Sequence, residues 1–156
     1  MSIEIINGIS GVEIKPVKTF PDERGMFAEL IRITDSFFTE GFGQLSTSTV
    51  YQGVIKAWHA HKVQYQWTYV ISGCLKVALY DNRKDSETFG KVQEMICGDD
   101  HDRLVYGFPP GILHGYKCIA GPANVLYVTS ATYDLEDEVR VSHQDIEYDW
   151  VNNCIK

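Results

Sequence analysis

The sequence has none of the segments that mark a secreted or membrane-spanning protein, and it has few basic residues. No run of about eighteen apolar residues occurs, and the first residues, MSIEIINGISGVEI, show no basic segment followed by an apolar one. Lys and Arg number 14 against 21 Asp and Glu, a formal charge of -7, which would repel nucleic acids and anionic membranes. We therefore expect a cytoplasmic protein that binds neither.

Cysteine is also scarce, and nothing in the sequence marks a linker. The four cysteines are Cys74, Cys97, Cys118 and Cys154. They show no CxxC spacing and are too few for a disulfide scaffold, so we expect them to be reduced. No internal repeat, low-complexity tract or block of like charge appears. A length of 156 residues fits one domain with a real core, and we predict a single domain over 1–156.

Helical periodicity is nearly absent, whereas strand patterns fill the chain from Gln44 onward. Runs of β-branched and aromatic residues, bounded by glycine or polar turns, predict strands at 45–50, 54–61, 65–71, 75–80, 89–96, 104–108, 113–119 and 125–129. Apolar runs at 3–6 and 12–17 predict two earlier strands. Short strands at this spacing are typical of an all-β sandwich or barrel.

The region before Gln44 is less regular. A polar turn after Phe20 leads into a predicted strand that carries Glu29 and ends near Ile33. Asp35 is predicted to cap one short helix over 36–40, which Gly41 would close.

The stretch from Gly53 to Gly73 contains the pattern around which the site is built. Alternate side chains of a strand share a face, so His59 and His61 should enter one cavity together. A turn of prolines and glycine precedes His114, which would bring a third imidazole to the same place. This arrangement is the outline of a cupin, a small jelly roll with a site inside the barrel.

The cupin pattern G-x5-HxH-x4-E-x6-G matches this stretch at every spacing, but one of its metal-ligand residues is replaced. Gln66 stands where the carboxylate belongs. Metal cupins hold an ion with two histidines, that carboxylate and a later histidine. One hypothesis is therefore a metal-dependent oxygenase or lyase that uses His59, His61, Gln66 and His114. A neutral Gln66 weakens such a site and favours a metal-free protein.

Several longer motifs carry a family resemblance that covers nearly the whole chain. They are DERGMFAEL at 22–30, GVIKAWHAH at 53–61, KDSETFGKV at 84–92, FPPGILHGY at 108–116 and VLYVTSATYD at 125–134. In these motifs the chain resembles the dTDP-4-dehydrorhamnose 3,5-epimerases, metal-free cupins acting on nucleotide-linked 4-keto-6-deoxy sugars. The resemblance implies a cupin-type double-stranded β-helix with one or two short helices, no cofactor, and a role in deoxysugar or polysaccharide biosynthesis.

The resemblance also implies roles for three side chains in an epimerisation. His59 falls on the family's base, and Tyr127 falls on the tyrosine that acts as acid from the opposite face of the sugar. A proton next to a ketone can be removed by an imidazole if the enolate is stabilised, and inversion requires a proton on the other face. His61 would be an added proton carrier or hydrogen-bond donor.

The resemblance further implies a substrate-binding set and an oligomer. The set comprises Arg24, Glu29, Gln44, Lys56, Gln66, His114 and Tyr133. Cationic groups in it would hold the diphosphate of a nucleotide sugar. The family forms dimers by exchanging N-terminal strands, so a homodimer is implied in which Arg24 or Glu29 serves the neighbour's site.

Two departures from the family keep other functions open. The family's catalytic lysine, which stabilises the enolate, aligns with the neutral Gln66. The aspartate that orients the base lies in a C-terminal extension without a counterpart here. The HAH triplet at 59–61 also resembles the dTDP-4-keto-6-deoxyglucose 3,4-ketoisomerases. Epimerisation at one centre, a 3,4-ketoisomerase reaction and a non-catalytic binding role therefore remain alternatives.

Overall fold

The computed structural model describes residues 3–151 as an all-β protein. Its strands are β1 Glu13–Pro16, β2 Thr19–Asp22, β3 Gly25–Ala28, β4 Gln44–Val50, β5 Ile55–His61, β6 Gln66–Asp81, β7 Val92–Gly98, β8 Leu104–Phe108, β9 Ile112–Thr129 and β10 Glu138–Arg140. Apart from the β2–β3 hairpin, they belong to one sheet that folds back on itself. The predicted all-β jelly roll is confirmed.

Two long strands connect the halves of this sheet. β6 and β9 pair antiparallel from Gln66 opposite Thr129 to Asp81 opposite Ile112, with shifts of register near the middle. We call one half the tyrosine wall; it comprises β1, β8, β4, residues 66–70 of β6 and residues 125–129 of β9. We call the other the histidine wall; it comprises β5, β7, β10, residues 75–81 of β6 and residues 112–118 of β9.

Gly73 allows β6 to pass from one wall to the other. Its φ is +77°, and a Cβ there would lie 2.7 Å from both the Ala120 carbonyl oxygen and the Ala123 Cα. Only glycine fits such a bend. In the sequence, the breaks near Gly73 and Gly121 predict strand ends, and hence four separate strands. That prediction is wrong, because the chain bends there while β6 and β9 keep pairing on both sides.

Apolar side chains fill the space between the walls and cover the outside of β5. The main core joins Val70 and Val125 of the tyrosine wall to Leu79 of the histidine wall. On the outer face of β5, Trp58 is fully buried and its ring centroid lies 5.2 Å from that of Trp150. The C-terminal aromatic segment therefore lies over the barrel.

The predicted helix over 36–40 is wrong, since these residues form turns. The Asp35 carboxylate accepts hydrogen bonds from Lys15 Nζ and the Arg32 backbone, both at 2.7 Å, and so does not cap a following helix. Phe38 packs edge-on against Trp67, with 4.6 Å between ring centroids. A segment of five residues is also too short to be stable as an isolated helix. Residues 3–151 contain no helix, so none is long and apolar enough to cross a membrane.

Three other strand predictions are wrong: two have a wrong end, and one is not a strand. β3 ends at Ala28, before Glu29, and the run at 3–6 contributes only a bridge from Ile5 to Val92. The strand predicted from Phe89 begins at Val92, because a polar turn precedes it. The buried Asp81 carboxylate holds that turn by accepting hydrogen bonds from Arg83, Ser86 and Thr88. These donors keep the pKa of Asp81 far below its usual range.

The cysteines that the structure describes fit the prediction of reduced thiols. Cys74, Cys97 and Cys118 are free and buried. Burial raises the pKa of Cys97 to about 12, which makes it unreactive. Cys154 lies outside the described residues.

Candidate active site in the barrel cavity

A cavity of about 290 Å³ opens between the tyrosine wall and the histidine wall. It brings together most of the side chains that the sequence predicts for the site. These are Gln44, Lys56, His59, His61, Gln66, His114, Tyr127 and Tyr133. Arg24 and Glu29 do not line it.

The alternation of β5 points its two histidines into this cavity. Trp58 and Ala60 are buried among the apolar residues behind the strand, and His59 and His61 project from the opposite face. His114 of β9 lies beside them, with its ring centroid 6.2 Å from that of His59 and 5.8 Å from that of His61. The three imidazoles therefore form one cluster, as predicted.

His59 is held by a carboxylate of β10. Its Nδ1 lies 3.4 Å from Glu138 Oε1, and Glu138 also accepts two hydrogen bonds from Arg140, at 2.9 and 3.2 Å. Burial is the largest cause that lowers the pKa of His59; Glu138 raises it, and the net pKa is lowered. A neutral imidazole whose Nδ1 proton faces Glu138 leaves Nε2 with a lone pair to accept a proton.

His61 is held from both sides. Its Nδ1 lies 3.1 Å from Asp137 Oδ2, and its Nε2 lies 3.2 Å from Gln66 Oε1. Gln66 in turn donates from Nε2 to Thr68 Oγ1 at 3.1 Å. Because Gln66 and Thr68 belong to the tyrosine wall, this chain of contacts links the two walls in the lining of the cavity.

His114 is a neutral ring buried beside the other two histidines. Burial, followed by the neighbouring imidazoles His61 and His59, lowers its pKa to about 3. Its Nδ1 lies 3.4 Å from the Ile112 carbonyl oxygen. A neutral ring of this kind can orient a polar ligand through its other nitrogen without adding charge.

Tyr127 belongs to the tyrosine wall, across the cavity from His59. It lies on β9 between Ser46 of β4 and Thr68 of β6, and its ring packs against the main core. Lys56 and Tyr133 lie on the exposed side of the cavity. Gln44 Oε1 accepts a hydrogen bond from the Tyr133 backbone at 2.9 Å, which fixes this rim.

Arg24 and Glu29 lie in and just after the β2–β3 hairpin. Arg24 Nη2 lies 2.6 Å from Asp22 Oδ2, and 83% of the Arg24 side chain is exposed. This contact raises the pKa of Arg24 and lowers that of Asp22. Glu29 lies 3.7 Å from Arg32. Within one chain, neither residue contributes to the cavity.

Sequence reasoning missed Asp137 and Glu138. The signal was the acidic run at 134–138, directly after Tyr133. Its meaning depends on the pairing of β10 with β5, which sets Glu138 opposite His61 and Arg140 opposite His59. Such a pairing joins residues about eighty positions apart and leaves no local pattern.

The donor set does not fit the metal-dependent hypothesis. Among residues 3–151, no group of three His, Cys, Asp or Glu side chains converges to hold a metal ion. His59 and His61 each turn Nδ1 toward a different carboxylate. Gln66, at the position of the cupin carboxylate, contacts His61 and Thr68.

Comparison with known proteins agrees with the geometry. A family model described as dTDP-4-dehydrorhamnose 3,5-epimerase matches residues 7–155. The spore coat polysaccharide biosynthesis protein SpsL of Bacillus subtilis is 39% identical over 147 residues, 91% of this chain and 96% of that protein. A probable low-salt glycan biosynthesis epimerase of Haloferax volcanii is 31% identical over 83% of each chain. A dTDP sugar isomerase from Desulfovibrio desulfuricans has a similar structure, with a TM-score of 0.86, 25% identity and coverage of 92% of this chain and 93% of that one.

Proposed function

The chain belongs to the dTDP-4-dehydrorhamnose 3,5-epimerase family, and we propose that it inverts a carbon next to the ketone of a dTDP-linked 4-keto-6-deoxy sugar. It is a sugar-nucleotide epimerase, and its similarity to a spore coat polysaccharide biosynthesis protein associates it with deoxysugar and polysaccharide biosynthesis. The observation that carries the proposal is that His59 of the histidine wall and Tyr127 of the tyrosine wall line one cavity.

The reaction needs a base on one face of the sugar and an acid on the other. His59 Nε2 removes the proton from the carbon beside the ketone, and the electron pair moves onto the ketone oxygen to form an enolate. The Tyr127 hydroxyl then returns a proton to the opposite face of the same carbon, and the carbonyl forms again. His59 and Tyr127 regain their starting states by exchanging a proton with solvent.

Glu138 supports His59 as the base. A carboxylate on Nδ1 fixes the tautomer and ring orientation and stabilises the imidazolium that forms when the proton is taken. Burial lowers the pKa of His59, Glu138 raises it, and Arg140 and His61 lower it further, so the pKa lies below its usual value. His59 therefore begins the reaction neutral.

The rim of the cavity supports binding of the nucleotide. The cavity volume of about 290 Å³ is near the lower end of the range for small-molecule sites, so it suits the sugar ring rather than the whole substrate. We assign Lys56 to the diphosphate, as a cation on an acidic protein. Gln44 and Tyr133, which are joined by a hydrogen bond, would contact the nucleoside.

Deuterium exchange tests the proposed function. With native protein, dTDP-4-keto-6-deoxyglucose and a metal chelator in D2O, we expect NMR to show solvent deuterium entering at C3, C5 or both. A product inverted at the labelled carbon should accumulate. No exchange above the rate without enzyme would contradict the proposal, and exchange that the chelator abolishes would favour the metal-dependent alternative.

A 3,4-ketoisomerase is the second candidate, favoured by the entry of both His59 and His61 into one cavity from one strand. Two proton carriers side by side can move a proton along the sugar, so that the carbonyl shifts from C4 to C3. The same NMR experiment separates the two reactions. An epimerase keeps the ketone at C4, whereas a ketoisomerase yields a product with the ketone at C3.

We also propose a homodimer in which the hairpin of each chain completes the other chain's site. Within the described residues, β2 and β3 pair only with each other. Phe20, Met26 and Phe27 of this hairpin are 48%, 48% and 61% exposed. A two-stranded hairpin with exposed aromatics is marginal alone and exposes pairing edges. Contact with a second copy would bury these rings and carry Arg24 toward the partner's nucleotide.

Loss of one hairpin ring should weaken the dimer. We expect native protein to sediment as a dimer and Phe27→Glu to raise the dissociation constant at least tenfold, roughly the effect of losing an interface aromatic. Analytical ultracentrifugation measures this, with Tyr51→Glu as the matched control because Tyr51 is 72% exposed and is not part of the hairpin. A monomeric native protein, or equal effects of both changes, would contradict this assembly.

A further inference from the structure

Two adjacent carboxylates, Asp137 and Glu138, hold the two histidines of β5, but their surroundings differ. Glu138 lies 3.4 Å from His59 and also pairs with Arg140 through two hydrogen bonds. Its charge is therefore already balanced by a guanidinium. Asp137 contacts His61 and, in the part of the chain that the structure describes, forms no ion pair with Lys or Arg.

Burial makes the charge of Asp137 costly unless it has a cationic partner. The residue is 6% exposed. Its Oδ1 accepts a hydrogen bond from the Val63 backbone at 2.6 Å, and its Oδ2 lies 3.1 Å from His61 Nδ1. A buried carboxylate with one backbone donor and no cation is strongly unfavourable. A protonated His61 would supply the missing positive charge.

The second ring nitrogen of His61 also faces an oxygen. Nε2 lies 3.2 Å from Gln66 Oε1, and the Gln66 amide nitrogen donates to Thr68 Oγ1. With the amide nitrogen at Thr68, the amide oxygen of Gln66 points at His61. A neutral imidazole carries one N–H and can satisfy one of the two acceptors, whereas an imidazolium satisfies both.

We propose that Asp137 and Gln66 hold His61 as an imidazolium, and that this cation stabilises the enolate oxygen in place of the lysine that the family has at position 66. The inference rests on the proposed function. His61 lines the cavity, so a substrate oxygen can share its Nε2 proton with Gln66. A fixed positive charge in a partly enclosed cavity acts on charge that develops during the reaction more strongly than it would in bulk water.

The other groups that face His61 leave it as the cationic ring of the cluster. His114 stacks on it at 5.8 Å and stays neutral, since its pKa is about 3. His59 has a lowered pKa and is neutral as the base requires. Glu138, opposite His61 in the strand pairing, is balanced by Arg140. One cavity thus contains a neutral base and a cationic stabiliser two residues apart.

Imidazole nitrogen NMR tests the charge without any substrate. In native protein at neutral pH, we expect both nitrogens of His61 to resonate as protonated and Nε2 of His59 to resonate as unprotonated. Asp137→Asn should convert His61 to a neutral ring. Glu136→Gln, the same chemical change at an exposed neighbouring residue, should leave His61 charged. A neutral His61 in native protein would overturn the proposal.

A rescue experiment tests the role in catalysis. We expect His61→Asn to lower kcat about 10²-fold with a smaller change in KM, as for loss of a group that stabilises the oxyanion. Adding Gln66→Lys should recover at least about tenfold of that loss, because the lysine returns the charge. Unchanged kcat in His61→Asn, or no recovery in the double variant, would overturn the role. Failure of native protein to exchange deuterium would instead contradict the proposed function, while the NMR result on His61 would stand.

Discussion

His59→Asn should reduce deuterium exchange into the sugar by about 10³-fold or more, the largest loss that we expect from any single change in this protein. Asparagine keeps a polar side chain of similar reach but cannot take the proton. The loss corresponds to roughly 4 kcal/mol of transition-state stabilisation. NMR exchange rates measure it, and His143→Asn, an exposed histidine outside the cavity, is the matched control.

The role of His59 as base also predicts how the rate of deuterium exchange by the native protein depends on pH. Burial lowers the pKa of His59, so the neutral, proton-accepting form persists to more acid pH than for an ordinary histidine. The rate should therefore hold below pH of about 6.5, the usual pKa of histidine, and fall only when His59 becomes protonated. Residual exchange in His59→Asn that follows the same acid limb, or a loss below about tenfold, would show that another group is the base.

Tyr127→Phe should separate proton removal from inversion. His59 is intact in this variant, so it can still remove a proton and return one to the same face. We expect deuterium to enter the substrate with its configuration retained, while formation of the inverted product falls by about 10² to 10⁴-fold. The phenyl ring preserves the packing of Tyr127 against the main core, so the fold should be unaffected.

NMR of the substrate and product pools measures both quantities in one reaction. Tyr65→Phe removes a hydroxyl outside the cavity and should change neither rate. Equal losses of exchange and inversion in Tyr127→Phe would show that Tyr127 acts before proton removal, for instance in binding. Unchanged inversion would show that the proton comes from another group or from water.

Much of the fold followed from local patterns. Alternation over 54–61 predicted the shared face of His59 and His61, because strand geometry alone decides which side chains share a face. The spacing from Gly53 to Gly73 predicted a cupin. The helix over 36–40 failed because Asp35 bonds to Lys15 and Arg32 instead of capping a helix. Tertiary contacts of this kind override local propensity.

The ends of the predicted strands failed for a related reason. A glycine in a strand-like run can end the strand or bend it, and the local sequence is the same in both cases. At Gly73 the chain bends, because β6 continues to pair with β9 beyond it. Only the partner strand distinguishes the two outcomes.

The sequence by itself determined the composition of the site: an imidazole pair on one strand, a third histidine after a proline turn, and a tyrosine in VLYV. The tertiary structure alone decided which groups pair with these side chains. It set Glu138 and Arg140 at His59, Asp137 at His61, and Tyr127 on the opposite wall. The physical reason is that strand pairing brings together residues far apart in sequence, and the charge of a buried group depends on those neighbours rather than on its own segment.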